Sequence, residues 1–288
     1  MKNSLYFLFA FLLTTSLVFS QNDDDDDFDK TFELDLLSFE ESYPSIELSY
    51  GLTTVTRNPQ ELGALNQISA KFGTMELEDI LRDDVSTGTN EMDFGYLFIS
   101  YQDFGLGADA DADNLFKNWI IGFGSQEGYG YKLGDNSSII LYHGDGAGIS
   151  WITETENETL VNNSRPLEVF GKMARYSENM DAGVKILLFE NLSVNAAYER
   201  TFIFPRYMVW YSMLSGVIQT SAQGLGGYFT KKVFKKMPKA VPIINFLIQN
   251  GISYGFYELR KEQMNWPVGQ DTAPLLLDNF RLGFNFNF

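Results

Sequence analysis

Arg281-Leu282-Gly283-Phe284-Asn285-Phe286-Asn287-Phe288 ends the chain, and its reading decides the fold. Leu282, Phe284, Phe286 and Phe288 alternate with Arg281, Gly283, Asn285 and Asn287. Strict period-two alternation places the two sets on opposite faces of a β-strand. The apolar face is mostly aromatic. An open sheet ending on such a strand would leave an aromatic edge unpaired, which invites aggregation. Closing the sheet into a barrel inside a membrane removes the edge and surrounds the apolar face with hydrocarbon. The expectation is an all-β, transmembrane antiparallel barrel that closes on Leu277 to Phe288.

Earlier stretches repeat the pattern. Ile46, Leu48, Tyr50 and Leu52 alternate with Glu47, Ser49, Gly51 and Thr53, until Arg57-Asn58-Pro59 breaks the run. Ile68 to Leu77 and Asp93 to Asp103 read as strands separated by a polar stretch, Glu78 to Asn90. Asn118 to Leu133 is long, and Gly134-Asp135-Asn136 turns it into a returning arm, Ser137 to Thr153. After a polar loop, Glu154 to Pro166, strands are expected at Leu167 to Ser177 and Gly183 to Phe204, with another marked by Ile252, Tyr254 and Phe256. About nine candidates emerge, and bacterial single-chain barrels favour even numbers, so eight to ten strands are expected. The inward sets are rich in glycine and small polar residues, which suits a narrow barrel with a filled interior.

One segment, 206–249, breaks the alternation and is expected to be a helical or irregular insertion. Phe229, Val233 and Met237 recur every four residues, while Lys231, Lys232, Lys235, Lys236 and Lys239 fall largely elsewhere on the helical wheel. A basic amphipathic helix of this kind could cap one barrel end, lie in an anionic membrane interface, plug an acidic lumen or dock a protein partner.

The first twenty residues read as a cleaved signal peptide: Lys2, then an apolar run from Leu5 to Leu17, then Val18-Phe19-Ser20 before Gln21. That run is shorter than the roughly 20 residues needed to span a bilayer as a helix. Residues 21–42 form an acidic leader containing Asp23 to Asp27, and residues 43–288 form the barrel. The chain has 38 Asp and Glu against 21 Lys and Arg, a formal net charge of −17. Such a balance argues against nucleic acid as a partner, because that affinity rests on cations neutralising phosphates. Cysteine is absent, which excludes disulfides, Cys-based metal sites and lipidation on a Cys. The 25 Phe and 15 Tyr suit aromatic girdles at two membrane surfaces.

Candidate chemistry is sparse. His143 is the single histidine, and Ser150 lies seven residues further on, at a spacing that puts it on the other face of a regular strand. A lipid hydrolase or acyltransferase built on His143 would need its partners from other strands. Asp109, Asp111 and Asp113 begin like a Ca²⁺ loop, but Asn114 replaces the required Gly and Ile120 the required Glu. A solvated acidic loop is the plainer reading. No metal or cofactor is expected.

The C-terminal pattern, polar-x-Gly-x-x-aromatic-x-aromatic, resembles the assembly signal of Gram-negative outer-membrane β-barrel proteins. Arg281, Gly283, Phe286 and Phe288 stand at its matched positions. That resemblance implies export, location in the outer membrane among its lipids, and insertion by the barrel-assembly machinery. It implies nothing about a task. The expected role is a non-enzymatic interaction or accessory subunit of an outer-membrane assembly, with outer-membrane proteins as partners. The alternatives are a narrow channel or small-hydrophobe transport barrel and, behind it, the lipid-modifying enzyme.

Overall fold

A computed structural model describes residues 42–288, apart from 58–59, 83–84, 104–115, 135, 155–169, 171–172, 190, 207–208 and 263–272. The expected signal peptide, the Asp23–Asp27 run and the Asp109, Asp111 and Asp113 loop lie outside the described residues.

Eight strands form one closed antiparallel barrel in sequence order. They are β1 (Tyr43–Arg57), β2 (Gln60–Arg82), β3 (Val85–Asp103), β4 (Phe116–Gly134), β5 (Ser137–Glu154), β6 (Ala174–Phe189), β7 (Leu192–Ile203) and β8 (Leu275–Asn287). The quoted C-terminal stretch is the closing strand: Phe286 pairs with Ile46 of β1 and Leu192 of β7, so neither edge is left open. Following paired residues around the barrel from Glu78 of β2 leads back to β2 at Ile68, ten residues away. This stagger tilts every strand and fixes the narrow bore.

Alternation is inverted relative to a soluble protein. Leu48, Tyr50, Phe72, Leu97, Phe123, Phe280 and Leu282 point outward and are exposed, whereas Glu47, Ser69, Lys71, Gln126, Asp181 and Arg281 point inward and are buried. Such a sheet is stable where the surroundings are apolar.

Several sequence expectations need correcting. Glu78 to Asn90 is the end of one strand and the start of the next, since Glu78 pairs with Glu91 and Asp79 with Asn90. Its polarity misled because these rungs lie at a barrel end, where outward residues face water. Of the expected strand Leu167 to Ser177, residues 167–169 and 171–172 lie outside the described residues and the part from Ala174 belongs to β6, while Gly183 to Phe204 holds the end of β6 and all of β7. Ile252, Tyr254 and Phe256 belong to a helix. Alternation over five residues there competes with a longer i, i+3, i+4 pattern, which prevails.

The insertion is also larger than expected. It holds α1 (Val209–Lys236), a 3₁₀ turn (Pro238–Ala240) and α2 (Val241–Glu262), so helix extends past 249. Pro238 and Pro242 fit the 3₁₀ turn and the first turn of α2, where a missing N–H is tolerated. Both ends of the insertion hang from the barrel end where β7 stops and β8 starts. The hairpin then lies along the outer wall. Its tip reaches the opposite end, where the Tyr131 hydroxyl donates to the Lys239 carbonyl at 2.8 Å.

Candidate functional site

The lumen decides whether anything passes through the barrel. Glu47, Asp181 and Glu199 face Lys71, Lys185 and Arg281 across the bore, each arriving on the polar set of its strand. Arg281 Nη1 lies 2.6 Å from Glu47 Oε1 and its Nε lies 3.4 Å from Glu199 Oε2, while its other terminal nitrogen binds Asp181. Lys185 is 3.3 Å from Glu47 and Lys71 is 3.3 Å from Asp181. Gln126 donates to Asp181 at 2.9 Å, and Lys71 rests 4.2 Å from the centre of the Tyr96 ring. Charges this deep are tolerated only when paired and hydrogen-bonded.

Aromatic and aliphatic layers fill the space to either side. Phe94, Tyr96 and Phe98 project inward from β3. They fit because the facing positions of β4 are glycine: a Cβ on Gly122 would lie 2.7 Å from the Phe98 ring, and one on Gly124 would lie 2.8 Å from the Tyr96 hydroxyl. Val55, Leu65, Ile203 and Leu275 close the end from which the helices hang, and Met75, Met92 and Leu187 close the other. A shallow cavity of about 180 Å³ between Met75, Leu187 and Asn90 is a dimple in that second end. The bore is plugged.

The outer wall is the second distinctive surface. One rung of paired residues runs from Asp145 of β5 through Met180 to Arg200 of β7 and Asp278 of β8. These charges, with Glu178 on β6, stand in the outward set beside the apolar Met180, Phe202 and Leu276, which are buried. The hairpin answers each of them. Gln223 of α1 donates to Asp145 at 2.9 Å. Arg260 of α2 donates to Glu178 at 3.0 Å and to Ser215 at 3.0 Å. Tyr257 of α2 donates to Asp278 at 3.1 Å. The Arg200 guanidinium lies 4.6 Å from the Tyr254 ring centre and 4.4 Å from that of Tyr257.

The helices bind each other by the same means. Gln249 donates to the Gln223 carbonyl at 3.2 Å, and Thr230 bonds Asn245 at 3.2 Å. Gly226 lets them approach: a Cβ there would come within 2.8 Å of Ile248. Ser215, Gln219, Gln223, Gly226 and Thr230 recur at three and four residues, so one face of α1 is polar or small and turned inward.

The residues singled out from sequence are distributed differently from expectation. Arg281 and Gly283 of the C-terminal pattern face the lumen; a Cβ on Gly283 would lie 2.4 Å from Asn195 Oδ1. Phe286 faces outward, and the Phe288 amide donates to the Pro44 carbonyl at 2.9 Å. Phe229 and Met237 of the candidate interaction helix are 52% and 60% exposed, while Val233 is half-buried. The apolar stripe therefore points away from the barrel, because what α1 meets on its other side, α2 and Asp145 of the wall, is polar. Lys231, Lys232, Lys236 and Lys239 are brought together, exposed, at the hairpin tip; the Lys235 side chain lies outside the described residues. His143 faces outward, paired with Glu127, whereas Ser150 faces the lumen and bonds Asn118 at 2.6 Å, so the two do not meet.

Neither the lumen network nor the charged outer rung was singled out from sequence. A signal for the rung was present: Asp145, Glu178, Arg200 and Asp278 each occupy a position of the apolar set in strands that otherwise alternate.

No family model matches the chain, and no curated protein matches it. Among solved structures it is similar to Neisserial surface protein A, at 8% identity and a TM-score of 0.38, over 86% of this chain and 100% of that one. It is also similar to Ail, the attachment invasion locus protein of Yersinia pestis, at 10% identity and a TM-score of 0.32, over 86% of this chain and 99% of that one. A third likeness, to the N-terminal β-barrel domain of Pseudomonas aeruginosa OprF, has 10% identity and a TM-score of 0.33, over 85% of this chain and 100% of that one.

Proposed function

We propose that the chain is an outer-membrane β-barrel, exported by a cleaved signal peptide, that acts as an interaction or accessory subunit of a membrane assembly. The observation that carries this reading is the plugged bore. Among the described residues six paired charges and flanking aromatic layers fill the middle of the bore, which leaves the outer surface as the place to act. The transport alternative loses its main requirement.

The exposed lysines at the hairpin tip, Lys231, Lys232, Lys236 and Lys239, form the surface offered to a partner. They stand at the barrel end where β1 starts and β8 stops, as do the acidic outward residues Glu91 and Glu78. A partner with an acidic face would meet them directly. A lipid-modifying role finds little support, since among the described residues no nucleophile hydrogen-bonds His143 Nδ1 and Gln223 engages the nearby Asp145.

Purification from the native membrane in mild detergent, with mass spectrometry of what accompanies the barrel, tests the reading. A stoichiometric protein should be recovered with the wild type and lost when the tip lysines are replaced by glutamate. A solitary barrel would overturn the proposal. Lipid turnover should be unchanged in His143→Ala; a loss of turnover would restore the enzymatic alternative.

A further inference from the structure

The α1–α2 hairpin is built inside out. Its buried positions include Ser215, Gln219, Thr230, Asn245, Gln249, Ser253 and Arg260, which outnumber the buried Val241, Phe256 and Tyr257 of α2. Its exposed positions include Leu214, Val217, Leu225, Tyr228, Ile243, Leu247 and Tyr254, with Leu225 72% and Leu247 63% exposed. A water-bathed helix lying on a protein wall shows the opposite arrangement, with its apolar stripe turned inward. The barrel wall has the same inverted polarity, and the apolar face of the hairpin continues it: Leu97, Phe123 and Ile149 on β3, β4 and β5 lead sideways onto the helices.

The wall explains why the hairpin is there. Asp145, Glu178, Arg200 and Asp278 would be costly on a surface facing hydrocarbon. Each is covered by a hairpin side chain that neutralises it or hydrogen-bonds to it. Hydrocarbon gives apolar helices no reason to associate, so buried polar contacts and close backbone approach must hold them. Those are the contacts present: Gln249 to Gln223, Thr230 to Asn245, and the approach at Gly226.

We propose that the exposed face of the α1–α2 hairpin is a lipid-contacting surface, embedded in the bilayer against the barrel wall and occupied by acyl chains. The perimeter of the protein in the membrane is then part strand and part helix. No single helix has to be hydrophobic enough to cross alone, since its polar face is spent on the wall. Among the described residues no helix is long and apolar enough to cross a membrane by itself. The inference rests on the membrane-barrel reading given above.

The absence of native cysteine makes the test clean. Full-length protein carrying single substitutions Leu225→Cys, Leu247→Cys, Phe123→Cys or Asn136→Cys is folded into phosphatidylcholine vesicles. Each variant is exposed to a charged, water-soluble maleimide and, separately, labelled with bimane and incorporated into vesicles of brominated phosphatidylcholine. Phe123→Cys reports the barrel wall and Asn136→Cys an exposed turn. Leu225→Cys and Leu247→Cys should resist the maleimide as Phe123→Cys does and lose bimane fluorescence to the brominated lipid to a similar degree. Labelling of both hairpin positions as fast as Asn136→Cys, with Phe123→Cys still protected, would overturn the inference and leave the barrel reading standing. Fast labelling of Phe123→Cys as well would overturn the barrel reading itself. Hairpin positions that resist the maleimide but are not quenched would mean that a second copy of the chain covers them, which also overturns the proposal.

Discussion

Arg281 occupies the centre of the molecule, and replacing it tests how much the lumen network matters. Its guanidinium fork reaches three carboxylates from β1, β6 and β7 at once, a geometry that a lysine cannot reproduce. Arg281→Ala leaves Glu47 and Asp181 short of a partner in a water-poor interior. The expected cost is about 3–5 kcal/mol, read as a lower urea midpoint of the barrel folded in detergent. Arg281→Lys should lose less. Refolding from urea without any assembly factor separates this packing role from the signal role implied by the C-terminal resemblance. Normal in vitro stability of Arg281→Ala would sink the packing account. At this scale the sequence was half legible. Alternation told which face Arg281 shares with Gly283, Asn285 and Asn287, but not that residues 47, 71, 181, 185 and 199 converge on it, because convergence depends on stagger around the barrel.

Among the elements, the hairpin depends on a few polar contacts, of which the Arg260–Glu178 pair is the strongest candidate. Arg260→Ala should leave Glu178 uncompensated on the wall and cost about 2–4 kcal/mol of hairpin docking. Amide hydrogen exchange should rise across α1 and α2 while barrel strands stay protected. Equal loosening of β6 and β7 would mean that hairpin and barrel are one cooperative unit. The strands could be read from sequence because each carries a repeated two-residue rhythm. The helices could not, for two reasons. Their polarity is turned around, so the usual apolar-face rule points the wrong way. They are also rich in glycine, with Gly216, Gly224, Gly226 and Gly227 in α1 alone, which lowers intrinsic helix propensity.

For the molecule as a whole, a filled bore has an electrical consequence. Planar bilayers containing the purified barrel should show no steady conductance above background, because the paired charges and the Phe94, Tyr96 and Phe98 layer occupy the path. Reproducible single-channel steps would refute the plugged description. Closed architecture was legible from the last eight residues, since an aromatic terminal strand needs a neighbour on each side. Strand number and strand bounds were less so: the Ile252-to-Phe256 stretch counted as a strand, and the passage from Glu78 to Asn90, where β2 ends and β3 starts, counted as a spacer.

The hairpin leaves β7 and returns to β8 at one end of the barrel, yet its lysine tip rests at the other. Drawn through a finished bilayer, each of those lysines would cost about 2.5–3.5 kcal/mol at mid-membrane. The order of assembly follows: the helices must lie down along the wall while it is still wet, before lipid seals around it and before β8 meets β1. A Gln223→Cys, Asp145→Cys pair should therefore form its disulfide during refolding earlier than the heat-resistant, fast-migrating barrel appears on a gel. If the disulfide came only after the compact form, the tip would have a route through lipid and this order would be wrong.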